Sequence, residues 1–187
     1  MKNNLESAWY NKDILPNEMK MRINGKKSWP KLENSWHFQY LDEAIKVCGK
    51  IETLIDLGCG GAEVGRVYPH IKYVGYDLEH IIKEVAQKIN PTLSYEYFDA
   101  FKSNFNFCKK IDIILTNSFI TELNNCTEIL GKILEKAENY VVIHRQKFEG
   151  DEKLDNYKTY GGLNTIECTV SQKEFNEMIK NKFDIIY

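Results

Sequence analysis

Proline is scarce in this chain, four among 187 residues, and no apolar run approaches the length of a membrane span. The N-terminal stretch "MKNNLESAWYNKD" lacks the apolar core of a secretory signal. Basic charge is not in excess: 25 Lys and Arg stand against 27 Asp and Glu, for a net charge of -2. The chain therefore has no global field to hold nucleic-acid phosphates. The five cysteines (Cys48, Cys59, Cys108, Cys126, Cys168) are scattered, odd in number and form no C-x-x-C pair. That spacing indicates neither a disulfide framework nor a metal site. Together these absences predict a reduced, soluble, cytoplasmic protein with no membrane, nucleic-acid or metal partner.

What is present is enough apolar material, 43% of residues, for one compact domain. Short runs rich in Ile, Val and Tyr recur from residue 51: "IETLIDLG" (51–58), "IKYVGYD" (71–77), "LSYEYFD" (93–99), "IDIILTN" (111–117) and "NYVVIHR" (139–145). Amphipathic segments separate them near 62–67, from Glu79 to Ile89, and from Cys126 to Ala137. The alternation predicts an α/β, doubly wound Rossmann-like sheet over 51–187. Asn90-Pro91 should stop the second helix, because proline disfavours helical geometry in the residue before it. "KFEGDEKLDNYKTYGGLN" reads as a long polar loop. Ser171 and Glu174 have capping-box spacing for a further helix, and "FDIIY" would open a sixth strand at the chain's end. Residues 1–50 form a separate cap: "NSWHFQYLDEAIKVCGK" predicts a helix capped by Asn34 or Ser35 and ended by Gly49. The polar, aromatic segment before it has the character of a lid.

The first strand runs into Gly58-Cys59-Gly60-Gly61-Ala62. Glycines there let the backbone turn tightly and approach a ligand. The register lacks the last glycine of a dinucleotide fingerprint, and the G-K-[ST] of a P-loop is absent. What stands is D-x-G-x-G-x-A, from Asp56 through Gly58 and Gly60 to Ala62. Asp77 closes the second strand about twenty residues on, where acidic side chains meet ribose hydroxyls, and Asp99 closes the third. A strand-end aspartate can be a mere turn residue, but three in register with a glycine turn favour a cofactor.

On these residues the chain resembles the class I S-adenosylmethionine-dependent methyltransferases. The resemblance spans 51–145, and Ala62 departs from the family's third glycine. It implies S-adenosylmethionine as cofactor and S-adenosylhomocysteine as product. It places Asp56, Gly58, Cys59 and Gly60 around the cofactor's amino-acid end, Asp77 at its ribose, and Asp99, Leu78 and Ala100 around its adenine. Asn117 and Ser118, in "TNSFITEL", would lie near the sulfonium and the acceptor; this stretch departs from the N-P-P-[FY] of amino-methylating nucleic-acid enzymes. Cys59 reads as a small turn residue with no activating partner.

His144 is either a satisfied strand-end residue or a base suited to a hydroxyl proton. His37, on the N-terminal helix, is the alternative base, and His70 and His80 read as surface positions. Arg145 could clamp a phosphate or carboxylate, and Tyr157 and Tyr160 could close over an acceptor. Trp36 reads as a packing residue. "VVIHR" followed by "YKTYGG" also resembles bacterial surface-polysaccharide-associated methyltransferases, which implies a small anionic or sugar-like acceptor methylated on oxygen. The alternatives are N-methylation of a protein or RNA, and a noncatalytic binding module. Oligomeric state is not legible.

Overall fold

The computed structural model describes residues 8–11, 31–107, 110–158 and 164–186. Its centre is a five-stranded, wholly parallel sheet in the order β3-β2-β1-β4-β5. The strands are β1 (Thr53–Leu57), β2 (Lys72–Asp77), β3 (Ser94–Tyr97), β4 (Ile113–Asn117) and β5 (Tyr140–His144). All five coincide with the runs read from the sequence, and the order reverses direction between β1 and β4. In such sheets a crevice opens beyond the strands' carboxyl ends at that reversal.

The period of two along each strand sorts the core onto two faces. Leu54, Tyr73, Ile113, Leu115 and Val142 pack with Leu41 and Ile45 of α1 (Phe38–Val47) and with Val64 of α2 (Glu63–Val67). Ile55, Leu57, Tyr76 and Ile114 pack on the other face with Ile129, Leu130, Ile133 and Leu134 of α4 (Cys126–Lys136). Between β2 and β3 runs an irregular helix, α3, made of Glu79–Ile81, a π turn over Ile82–Ala86, and Gln87–Ile89. It stops at Asn90, as the following proline requires.

Four expectations are corrected. The polar stretch after β5 is not a loop: it supplies β6 (Phe148–Glu149) and β7 (Lys153–Lys158), which flank β8 (Asn164–Ser171) in a second sheet. β7 is exposed at every position and pairs with β8 alone, so it carries no apolar alternation to betray it. No strand forms over 183–186. The helix α1 begins at Phe38, not after Asn34 or Ser35: Leu32–Asn34 is a 3-10 turn, and the Ser35 hydroxyl donates to the Leu32 carbonyl at 2.6 Å. Cys126 and Cys168, expected to be free thiols, are joined as a disulfide. Ser171 does cap α5 (Gln172–Ile179), its Oγ accepting from the Glu174 amide, but its own amide donates to Thr127 Oγ1, so the reciprocal half of the capping box is taken by another element. No helix among the described residues is long and apolar enough to cross a membrane.

Candidate functional site

The turn after β1 is held from three sides. The amides of Gly58 and Cys59 donate to the Tyr76 carbonyl at 2.8 and 3.2 Å, binding the turn to β2. The Gly60 amide donates to Asp77 Oδ2 at 2.8 Å, and the Leu78 amide to Asp77 Oδ1 at 2.7 Å. From the helix side, buried Asn90 donates to the Gly61 carbonyl at 2.7 Å. Asn90 was legible only as a helix stop; its second task depends on a partner 29 positions away.

Gly58 sits at φ 71, and a Cβ there would lie 2.8 Å from Phe119 Cβ. Left-handed strain and overpacking add, so Gly58→Ala should destabilise the protein by roughly 2–4 kcal/mol, measured by urea denaturation. Ala62 (φ 54), Ser118 (φ 60) and Arg145 (φ 59) are also left-handed, each just beyond β1, β4 or β5. Strained residues clustered at strand ends mark a place where the chain is re-aimed for a purpose.

These strand ends open into one cavity of about 1140 Å³. Asp56, Gly58, Cys59, Gly60, Asp77 and Leu78 line one end of it, with Ala100, Asn117, Ser118, His37 and Arg145 also in the wall. Asp56 is 2% exposed; its Oδ2 accepts from the Tyr73 hydroxyl at 2.8 Å, while its buried Oδ1 has no hydrogen-bond partner. Burial pushes its carboxyl up to about 7, against the Tyr73 bond and with help from the Asp77 charge. Burial also lifts Asp77 to about 6, although both backbone amides pull it down. Cys59 is held well above the ordinary thiol range by burial and by both carboxylates, so it remains a thiol. This end of the cavity favours a cation.

Two sequence-predicted residues are placed elsewhere, and a third lies outside the described residues. Asp99 does not line the cavity: its Oδ1 accepts from the Tyr10 hydroxyl at 3.2 Å and the Phe101 amide at 3.0 Å, and its Oδ2 pairs with Lys102 at 3.1 Å. His144 lies behind the wall, 9% exposed, with Nδ1 2.9 Å from Asn117 Oδ1 and a bond to the His37 backbone. Burial, then the neighbouring His37, lowers it to about 4. That environment suits a tether between β4, β5 and α1. Tyr160 lies outside the described residues, while Tyr157 of the same segment lines the cavity.

The sequence also missed contributors. Trp36, expected in the core, is 81% exposed and lines the cavity beside His37, their rings 5.5 Å apart in an edge contact. Its position N-terminal to the first helical turn takes it off the apolar face that carries Leu41 and Ile45. A 3-10 turn at Ala8–Tyr10 straps the opening: Trp9 Nε1 donates to Glu122, the Trp9 carbonyl meets His80 Nε2 at 2.8 Å, and Tyr10 reaches Asp99. His80 is thus an anchor rather than an ordinary surface residue. Lys147, paired with Glu167, and Gln146 complete the rim near Arg145.

Searches of protein-family models and of curated proteins by sequence gave no match. Solved structures do match in shape. One is CalS10 from Micromonospora echinaspora, an amino pentose methyltransferase of calicheamicin biosynthesis, with S-adenosylmethionine bound. It is 14% identical, with a TM-score of 0.58 over 89% of this chain and 87% of that one. The fold is that of the S-adenosylmethionine-dependent methyltransferases. A second member of this fold, from Mesorhizobium loti, matches at 14% identity and TM-score 0.60 over 83% of this chain and 84% of that one. The sugar N-methyltransferase KedS8 from Streptoalloteichus matches at 12% identity and TM-score 0.52, over 87% and 82%. At these identities the methyltransferase likeness is one of architecture.

Proposed function

We propose that the protein is an S-adenosylmethionine-dependent methyltransferase that methylates an oxygen of a small, sugar-type acceptor. The observation that carries this reading is the buried, unpartnered Asp56 carboxylate oxygen on the wall of a cavity entered through the glycine turn. A buried carboxylate in that state calls for a cationic or hydrogen-bond-donating ligand. Asp56 and the backbone of Gly58, Cys59 and Gly60 would hold the cofactor's amino-acid end. Asp77 would take the ribose hydroxyls, with Leu78 and Ala100 walling the adenine. When bound, the cofactor supplies an electrophilic methyl group. Asn117 and Ser118 would orient the acceptor, and positioning would supply most of the rate.

On the acceptor side the base is assigned to His37 rather than His144. The Ser35 hydroxyl spends its proton on the Leu32 carbonyl, so its oxygen is left to accept from His37 Nδ1 at 3.3 Å. The tautomer inferred from that network leaves Nε2 as the basic atom. Burial and the Arg145 charge lower the His37 pKa, which keeps the ring neutral at pH 7. His37→Gln should cut turnover roughly 100-fold and remove the acidic limb of the pH–rate profile, with S-adenosylhomocysteine affinity unchanged. Arg145 would engage a phosphate or carboxylate on the acceptor, and Trp36 would offer its face to a sugar ring.

A second reading, methylation of a sugar nitrogen, is favoured by the likeness to a sugar N-methyltransferase. The deciding experiment is calorimetric titration with S-adenosylmethionine and S-adenosylhomocysteine, followed by methyl transfer from labelled cofactor to nucleotide sugars bearing hydroxyl or amino groups. A folded protein that binds neither cofactor form would leave a noncatalytic module in its place.

A further inference from the structure

Behind the acceptor side of the cavity lies a cluster that the proposed methyl transfer does not use. Cys126 is the first residue of α4 and Cys168 sits mid-way along β8; both are 0% exposed, with Cα atoms 6.1 Å apart. That separation lies within the range a disulfide spans, about 4.4–6.8 Å. Glu152 Oε2 lies 3.6 Å from Cys126 Sγ and accepts from the Thr127 amide at 2.8 Å.

We propose that the Cys126–Cys168 disulfide is a reversible thiol-exchange site that sets the rigidity of the acceptor wall. The bond ties together two segments that both line the cavity. On one side is the stretch carrying Thr121, Glu122 and Leu123, which leads into α4; on the other is β8, which carries Ile166 and Glu167. Glu167 in turn holds Lys147 on the rim. Closing the bond fixes the spacing of these walls, and opening it frees β8 to move with its hairpin. The consequence for acceptor binding rests on the methyltransferase reading, whereas the thiol chemistry does not.

Two features make the bond exchangeable. Leu154 of β7 is the register partner of Cys168, and β7 is an exposed strand paired on one side only, so unzipping it uncovers the sulfur. Cys126 lies at a helix N-terminus, which stabilises a departing thiolate. Glu152 opposes this, because it occupies the first-turn amide of Thr127 and sets a negative charge beside the sulfur. In the exchange, the thiolate of a low-molecular-weight thiol attacks Cys168 Sγ and Cys126 leaves as thiolate, taking up a proton. A second thiol then displaces the mixed disulfide. Two protein thiols and one low-molecular-weight disulfide result, two electrons having passed to the cystine; the reverse reaction consumes that disulfide.

The test equilibrates the intact protein in glutathione buffers of graded redox poise, then alkylates it under denaturing conditions and weighs it. Of the five cysteines, three should take label when the bond is closed and all five when it is open, with a sigmoidal transition between. Glu152→Gln should speed opening of the bond at a fixed glutathione concentration about threefold or more, because a leaving thiolate of lower pKa departs faster. Opening should speed hydrogen exchange over 120–127 and 164–171 by about tenfold or more, while S-adenosylhomocysteine affinity stays within about twofold. Five labels at every poise would remove the bond; three at every poise would make it a permanent cross-link. Unchanged exchange would remove control of the wall, and tight stoichiometric zinc in the reduced protein would make the cluster a metal site; any of these overturns the proposal. Failure to bind S-adenosylhomocysteine in either redox form counts against the methyltransferase reading and leaves the labelling result standing.

Discussion

Asp77→Ala should weaken S-adenosylmethionine binding about 100-fold or more in a calorimetric titration. The carboxylate does two things at once. It accepts from the amides of Gly60 and Leu78, so it shapes the turn proposed to meet the cofactor. It also presents its charge to the cavity, where the proposed ribose contact forms. A charge-assisted hydrogen bond contributes about 1.5–3 kcal/mol, so losing one to each of two ribose hydroxyls exceeds two decades in affinity. The fold should survive, because Gly58 and Cys59 remain tied to the Tyr76 carbonyl and Gly61 to Asn90. Thermal unfolding of the variant checks that point, and an unfolded variant would assign Asp77 to stability instead. A folded variant that bound the cofactor normally would sink the ribose assignment.

The second large effect is a pH dependence of cofactor affinity centred on Asp56. In the free protein burial raises this carboxyl to about 7 and Asp77 to about 6. A cationic ligand binds the carboxylate forms, so binding expels protons and affinity climbs with pH until both groups are ionised. Between pH 5.5 and 8 the gain should be roughly tenfold or more for S-adenosylmethionine, and smaller for S-adenosylhomocysteine, which lacks the sulfonium charge. The stability of the free protein runs the opposite way. A carboxyl whose folded pKa lies above its unfolded value stabilises the fold fully below about 4, and that contribution is lost as pH rises through 6 and 7. His144, lowered to about 4, has the reverse sign: its contribution is present above about 6.5 and lost as pH falls toward 4. Denaturant titrations of wild type and Asp56→Asn from pH 5 to 8 isolate Asp56 by difference, because His144, the likewise lowered His37 and the other groups contribute to both. The wild type should lose stability relative to Asp56→Asn over that window, and the variant should bind the cofactor poorly at every pH. A difference that does not change with pH would show that Asp56 is already ionised in the free protein.

How much of this was legible beforehand follows from which interactions are local. The central strands β1 and β4 announce themselves because, buried on both faces, they are continuous apolar runs such as "IDIILTN". Asp56 and Asp77 were legible because a polar residue ending such a run marks the strand's carboxyl end. Asp99 was legible as a strand-end acid too, but its partner Tyr10 lies 89 positions away, and that contact turns the carboxylate from the cavity toward the strap. His144 was ambiguous for the same reason, since Asn117 and the His37 backbone reach it from other elements.

β7 escaped notice because an exposed edge strand needs no apolar residues, and its partner β8 supplies the pairing. The cysteines were misjudged because spacing in sequence says nothing of Cys126 meeting Cys168 across 42 residues. Trp36 looked like core because tryptophan usually is, yet whether a side chain faces a helix's packed stripe depends on where the helix starts, and α1 starts later than its cap residues suggest. The sequence alone determined the order of the five parallel strands and their helices, the glycine turn and the acidic strand ends, because periodicity and backbone freedom are properties of neighbouring residues. Only the tertiary structure decided which acids face the cavity, which histidine is exposed to it and which sulfurs touch, because burial and pairing are set by residues far apart along the chain.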